Sequence, residues 1–325
     1  MTLFSWGNPR YFPRLPSPTP RYFDVDATER VLAHCHWQQR PWERPTLLAL
    51  HGLNGSSDAH YMKGLAAKAF ARGMNVVRLN QRNCGDTEHL SAGLFHSGLT
   101  ADAAHVVDEL ARVDGLEAIA VAGYSLGGNL ALKLAGEYGA YAPRELVAVA
   151  AVSPIIEIEQ CVRALERPSN AIYQWNFVKD LKRRVKRKAR FWPGLYDMKK
   201  LASIRTVREF DAAYTAPYFG FDSAEDYYYR ASSMRVVDRI RVPALIITSE
   251  DDPFVPSQPF YDPKVTGNPH IDLRVCAHGG HCGFVGPSSA DDDGYWAERQ
   301  IVEFVARHAA NTAAAREDEK ARATA

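Results

Sequence analysis

The chain has 325 residues, 46% hydrophobic and 24% charged, which excludes a disordered or low-complexity protein and leaves room for one large core or a core with an insertion. Lysine and arginine number 39 against 38 aspartate and glutamate, so a net charge of +1 gives no global field toward nucleic acid or an anionic surface, and any charge effect is local. No stretch approaches the roughly 18 apolar residues of a membrane span, the N-terminal MTLFSWGNPRYFPRLPSPTP is broken by prolines without a signal-peptide core, and five scattered cysteines have neither disulfide nor zinc spacing; together these point to a reducing, cytoplasmic setting.

In chain order, residues 1–22 read as an arm lying along the body. Near-continuous apolar runs follow at Thr46–Leu50, Asn75–Leu79, Ala118–Ala122, Leu146–Val152, Ala244–Thr248 and Ile271–Ala277, the pattern of strands covered on both faces. Between them, Leu99–Val113 and Asn129–Tyr138 carry apolar residues at helical spacing. The alternation predicts an α/β fold, a mostly parallel central sheet with helices on both faces. It fails between Ser153 and Val242, where the sequence is helical and aromatic. The predicted organisation is therefore a core over 23–153 and 238–309, an inserted helical cap over 154–237 and a charged, Ala-rich flexible tail over 310–325.

Gly123-Tyr124-Ser125-Leu126-Gly127 fits G-x-S-x-G between a strand and a helix, the context in which a serine is held on a sharp, strained turn and the Leu126 N–H faces a developing oxyanion. A bare G-x-S-x-G is also an ordinary glycine turn, so the base and its orienter decide. The strand ALIIT runs into Ser249-Glu250-Asp251-Asp252-Pro253-Phe254-Val255, and IDLRVCA runs into His278-Gly279-Gly280-His281-Cys282-Gly283, giving the order serine, acid, histidine of α/β-hydrolases. TLLAL runs into His51-Gly52-Leu53-Asn54-Gly55, whose Leu53 N–H is a candidate second oxyanion donor. Adjacent side chains on an extended loop point apart, so one aspartate meets the histidine. Asp252 matches the D-x-x-V of the hydrolase pattern G-x-x-D-x-x-V, with Ser249 in the glycine's place; Asp251 is the reserve. His281, after Gly-Gly, is the candidate base, and His278 a solvent or supporting histidine.

The set HGLNGSS, QRNCGDTEHLSAGLFHSGLTAD, GYSLGGN, REFDAAYTAPYFGFDSAEDYYYRASS, ITSEDDPFVP and HGGHCGF resembles the YheT-like branch of the α/β-hydrolase superfamily, related to the mammalian ABHD1/2/3-type lipid hydrolases. The resemblance implies a carboxylester hydrolase with Ser125, Asp252 and His281 as its triad, acting on short- to medium-chain acyl esters or lipid esters and needing no metal or organic cofactor. Some relatives are alcohol acyltransferases with the same triad, which is the alternative; a catalytically inactive binding protein is the second. One departure is Asn83 in RNCGD, where relatives tend to carry a glycine. His96 looks like a family element without a role that the sequence reveals.

Two features of the cap stay open. VKDLKRRVKRKARFW places Val178, Leu181, Val185, Ala189 and Trp192 on one helical stripe with Lys and Arg elsewhere. Lys179–Arg190 is then either a surface for anionic lipid or phosphate, or the solvated face of a packed cap helix; nucleic-acid binding would rest on this helix alone and is not expected. The aromatics Tyr214, Tyr218, Phe219, Phe221 and Tyr227 to Tyr229 either line an acyl pocket or form cap core.

Overall fold

A computed structural model describes residues 2, 10–289 and 293–324. Eight strands form one sheet: β1 (Thr19–Asp24), β2 (Arg30–His36), β3 (Thr46–Leu50), β4 (Asn75–Asn80), β5 (Ile119–Tyr124), β6 (Leu146–Val152), β7 (Ala244–Ser249) and β8 (Ile271–Cys276), in the spatial order β1-β2-β4-β3-β5-β6-β7-β8. From β4 to β8 every pairing is parallel; β2 is antiparallel to both neighbours. Strands β3 to β7 are buried at every position, which is why they read as near-continuous apolar runs. Period two is still visible in the packing. Leu48 and Leu50 face α2 (Thr100–Arg112) and α3 (Leu126–Tyr138), whereas Leu47 and Ala49 face α1 (His60–Ala71) and α7 (Trp296–Thr324).

Two segments of the chain depart from expectation here, the first strands and the tail. β1 begins inside the segment read as an arm, and β1 and β2 were not apparent as apolar runs because β1 is the edge strand and β2, next to it, alternates buried Val31, Ala33 and Cys35 with more exposed residues. The described remainder of the arm is anchored by Arg10, which meets Glu298 at 2.6 Å and Asp293 at 2.5 Å and lies over the Tyr295 ring; residues 1 and 3–9 lie outside the described residues. The tail expected to be flexible over 310–325 is instead helix through Thr324, with Arg316 donating to Glu117 O at 2.7 Å and Arg144 O at 2.9 Å; residue 325 lies outside the described residues. Its alanines, glutamates and basic residues are strong helix formers, and these anchors fix the extension to the body.

Between Val152 and Ala244 the chain is helical, with α4 (Ile158–Leu165), α5 (Ala171–Phe191), short turns at Val207–Phe210, Asp211–Thr215 and Ala216–Tyr218, and α6 (Ala224–Ala231). The buried side of α5 carries Val178, Leu181 and Val185, as its spacing predicts, but Arg184 and Lys188 lie there too. This corrects the expectation that its basic residues all sit on other faces. Arg184 donates to Cys84 Sγ, and Lys188 donates to Asn83 Oδ1 and Ser91 O, so both cations are satisfied in a polar niche of the loop after β4. Asn83 holds φ 63°, the left-handed region where a glycine is the usual occupant and asparagine is tolerated, and it spends its side chain on this joint.

Candidate active site

β5 ends at Tyr124, and Ser125 turns the chain with φ 54° and ψ −115° before α3 begins at Leu126. Such a conformation costs a non-glycine residue about 1–3 kcal/mol. The flanking glycines are required by close approach: a Cβ on Gly123 would lie 2.0 Å from Gly127 O, and one on Gly127 would lie 2.4 Å from Leu50 O. The turn is tied to β6 by Ser125 N donating to Val152 O at 2.8 Å. Leu126 is the first residue of α3, so its N–H has no acceptor within the helix.

The loop after β3 passes beside this turn, since a Cβ on Gly52 would stand 3.3 Å from Ser125 Cβ. His51 braces that loop: its Nδ1 lies 2.8 Å from Gly52 O, and its Nε2 accepts from Gln81 N at 3.2 Å. Burial pushes its pKa down to about 3, so the ring is neutral. Gly52 N donates to the Tyr61 hydroxyl at 3.1 Å, which fixes the His51–Gly52 peptide, one before the peptide that carries the Leu53 N–H.

The two aspartates after β7 take separate tasks. Asp252 is fully buried and its Oδ2 meets His281 Nδ1 at 2.8 Å, while its Oδ1 accepts from Phe254 N at 3.1 Å and Val255 N at 2.9 Å. Those last two bonds are the physical content of the D-x-x-V spacing. Asp251 does not meet His281; its Oδ1 accepts from Gly279 N at 2.8 Å and Gly280 N at 2.7 Å, shaping the loop that carries the histidine. Exposed His278 is 3.6 Å from Asp251. Ser249 donates to Gly280 O at 3.0 Å, Ser153 Oγ accepts from Cys282 N at 3.1 Å, and His281 N donates to Thr2 Oγ1 at 2.7 Å, so the histidine loop is held from three sides. Burial alone would lower the His281 pKa, but the Asp252 carboxylate against its ring raises it above the ordinary histidine value.

Two cavities meet at Ser125, Leu53 and Phe177. One runs under the helical segment between aliphatic side chains including Ile158, Val162, Leu165, Leu181 and Val207. The other holds His281 and is more polar, with Asn54, His60, Asn176 and Asp180 on its walls. Of the aromatics singled out from sequence, only Tyr227 lines the first cavity; Tyr214 and Tyr228 are cap core, Tyr218 and Tyr229 are exposed, and Phe219 and Phe221 pack on His96. His96 itself lines the first cavity, its Nδ1 accepting from Gly98 N at 3.1 Å, and burial lowers its pKa to about 3.

A residue the sequence did not single out is Asn129, one helical turn after Ser125 and fully buried. Its Nδ2 donates to Ser97 O at 2.8 Å and Ala231 O at 2.9 Å, and its Oδ1 accepts from Ser233 N at 2.8 Å. The polar residue closing GYSLGGN was the available signal. Among the described residues no group of three or more His, Cys, Asp or Glu side chains is placed to hold a metal ion, and no helix is long and apolar enough to cross a membrane.

The family described as alpha/beta hydrolase fold matches residues 45–286, and the chain belongs to it. Within that family it falls in the YheT-like branch. It is 32% identical over 302 residues to YheT of Escherichia coli (strain K12), provisionally named an esterase, covering 91% of this chain and 88% of that one. It is 30% identical over 243 residues to the mouse protein named phospholipase ABHD3, covering 74% of this chain and 59% of that one. Among solved structures, the Pyrococcus furiosus esterase Pf2001 superposes with a TM-score of 0.58 at 16% identity, covering 89% of this chain and 92% of that one, a likeness of fold.

Proposed function

We propose that the chain is a serine carboxylester hydrolase acting on short- to medium-chain acyl esters or lipid esters. The observation that carries this is the 2.8 Å contact of His281 Nδ1 with Asp252 Oδ2, in a cavity shared with Ser125 on its strained turn. In this reading Ser125 Oγ attacks the ester carbonyl as His281 takes its proton, the N–H groups of Leu53 and Leu126 hold the oxyanion, and Asp252 orients and stabilises the imidazolium. His281 gives the proton to the departing alcohol, then takes one from the water that attacks the acyl-enzyme, and Ser125 leaves protonated. Every step is carried by groups of this chain.

In this reading the two cavities take different sides of the ester. The alcohol must leave from beside His281 and so belongs in the polar cavity, which directs the acyl chain into the apolar one. The names of YheT and ABHD3 support ester chemistry. Five free cysteines support a reducing, cytoplasmic setting.

The test is labelling with a fluorophosphonate, together with a p-nitrophenyl ester panel of increasing acyl length on wild type and Ser125→Ala. Covalent adduct at Ser125 and loss of activity in the variant are expected; a folded chain without adduct refutes the enzyme. Added ethanol separates water from alcohol as acceptor, and dominant ethyl-ester formation would make the chain an acyltransferase.

A further inference from the structure

The basic helix α5 has three working sides, and two of them are accounted for. One is buried and carries Val178, Leu181, Arg184, Val185 and Lys188. A second lines the cavities, with Phe177 and Leu181 on the apolar one and Asn176 and Asp180 on the polar one. The third, although Trp175, Lys179 and Lys182 at its margin also line a groove shared with Glu166, Arg167 and Arg205, is the most exposed. It begins with Ile172 and Trp175, 60% and 62% exposed, and continues through Lys179, Lys182, Arg183, Lys186 and Arg190. At 3.6 residues per turn these positions fall within about a third of the helix circumference and extend over about 27 Å.

These cations have little to neutralise them. Arg183 is 3.3 Å from Asp180, and Lys179 donates to Asn176 Oδ1 at 3.0 Å while lying 4.5 Å over the Trp175 ring. Lys182, Lys186 and Arg190 meet no carboxylate within ion-pair distance among the described residues. Partial burial, with Arg205 and Lys186 nearby, outweighs the pull of the Glu209 carboxylate and holds the Lys182 pKa below the ordinary lysine value. A chain with a net charge of only +1 thus concentrates five cations against one carboxylate on a single helix face. A row of cations in which Lys186 and Arg190 are exposed and meet no carboxylate, Arg183 is exposed, and Lys179 and Lys182 are half-buried, with two large exposed apolar side chains at its N-terminal end, matches an interface that is anionic at its surface and apolar beneath.

We propose that this outward face of α5 docks the protein on an anionic lipid surface. The cations meet the headgroups, Ile172 and Trp175 enter the acyl boundary, and the polar cavity opens at the flank of the helix, beside the bilayer. The pairing of charge with exposed Ile172 and Trp175 favours lipid over nucleic acid, whose backbone would use the cations and leave the isoleucine unemployed. Docking stands apart from the ester chemistry, so Ser125→Ala retains it.

The test is co-sedimentation with vesicles of phosphatidylcholine alone and of equal phosphatidylcholine and phosphatidylglycerol, at low and at 0.5 M salt, for wild type, Ser125→Ala, Trp175→Ala and the double variant Lys182→Glu/Lys186→Glu. Wild type and Ser125→Ala should bind the mixed vesicles and be released by salt. At about fivefold per basic residue lost, the double variant should bind at least about 20-fold more weakly. It should keep wild-type kcat/KM on p-nitrophenyl butyrate, a soluble ester, which shows that it is folded. Trp175→Ala should also weaken binding. Equal binding to both vesicle types, wild-type binding by the double variant, or retention on duplex DNA without vesicle binding would overturn the assignment.

Discussion

Replacing Asp252 by asparagine tests the site with almost no change of volume, and the hydrogen bonds specify how the amide must turn. Phe254 N and Val255 N both donate to Oδ1, so the amide oxygen is held at that position and its NH2 falls where Oδ2 now meets His281 Nδ1. A donor facing Nδ1 requires that nitrogen to carry the lone pair, and the proton moves to Nε2, the atom that must accept from Ser125. The base is then in the wrong tautomer. The expected loss in kcat is about 10⁴-fold, or about 5 kcal/mol of transition-state stabilisation. There is a second signature in the pH profile. Because Asp252 raises the His281 pKa, wild-type kcat/KM should rise with pH through an apparent pKa above 6.5, since a base with a raised pKa stays protonated to higher pH. Removing the carboxylate should move that limb to lower pH even as the plateau falls. His51 and His96 are already neutral over this range and do not contribute to it. Asp251→Asn is the control: its oxygen can still accept from Gly279 N and Gly280 N, and activity should stay within about tenfold of wild type. Initial rates on p-nitrophenyl butyrate from pH 5 to 9, with melting temperatures to show that the fold is kept, measure both effects. An Asp252→Asn variant within tenfold of wild type, or one less damaged than Asp251→Asn, would refute the reasoning.

Gly127→Ala should cost more than about 4 kcal/mol in a urea titration, because its Cβ would sit 2.4 Å from a backbone oxygen that cannot yield; near-wild-type stability would contradict the packing. Tyr61→Phe removes the acceptor for Gly52 N, a net hydrogen bond of about 1 kcal/mol, and should lower kcat about fivefold with KM unchanged. Val162→Phe fills the apolar cavity, so the ratio of kcat/KM for octanoate over butyrate should drop at least tenfold, and an unchanged ratio would place the acyl chain elsewhere.

What the sequence could reveal depended on whether a feature was local. β3 and β6 have the bounds their apolar runs predict, because strands buried on both faces leave an uninterrupted signature. Ser125, Asp252, His281 and Leu53 were found at loops that follow strands, and the fold brings these loops to one edge of the sheet. Strand β2, second from the sheet edge, was lost because over its first six residues only alternate ones are buried. The cavity wall stayed open for a different reason: conspicuous tyrosines such as Tyr214 and Tyr228 pack within the cap, whereas the lining falls to scattered aliphatics and to phenylalanines such as Phe177 and Phe210 that no local pattern marks. Arg184 and Lys188 defeated the rule that charge lies outside, since their partners are backbone and side-chain atoms of a loop about a hundred residues earlier in the chain.

Asn129 has a further consequence. Through one side chain the helix that begins at Ser125 grips both the loop of Ser97 and the end of α6. The walls of the apolar cavity are thereby set at a constant offset from Ser125, as a gauge block is set from its reference face, and in the proposed reaction that cavity takes the acyl chain. A cavity framed in this way discriminates by length with a step: rates should hold while successive methylenes fit and fall abruptly at the first that does not, where an adaptable wall would give a gradual slope.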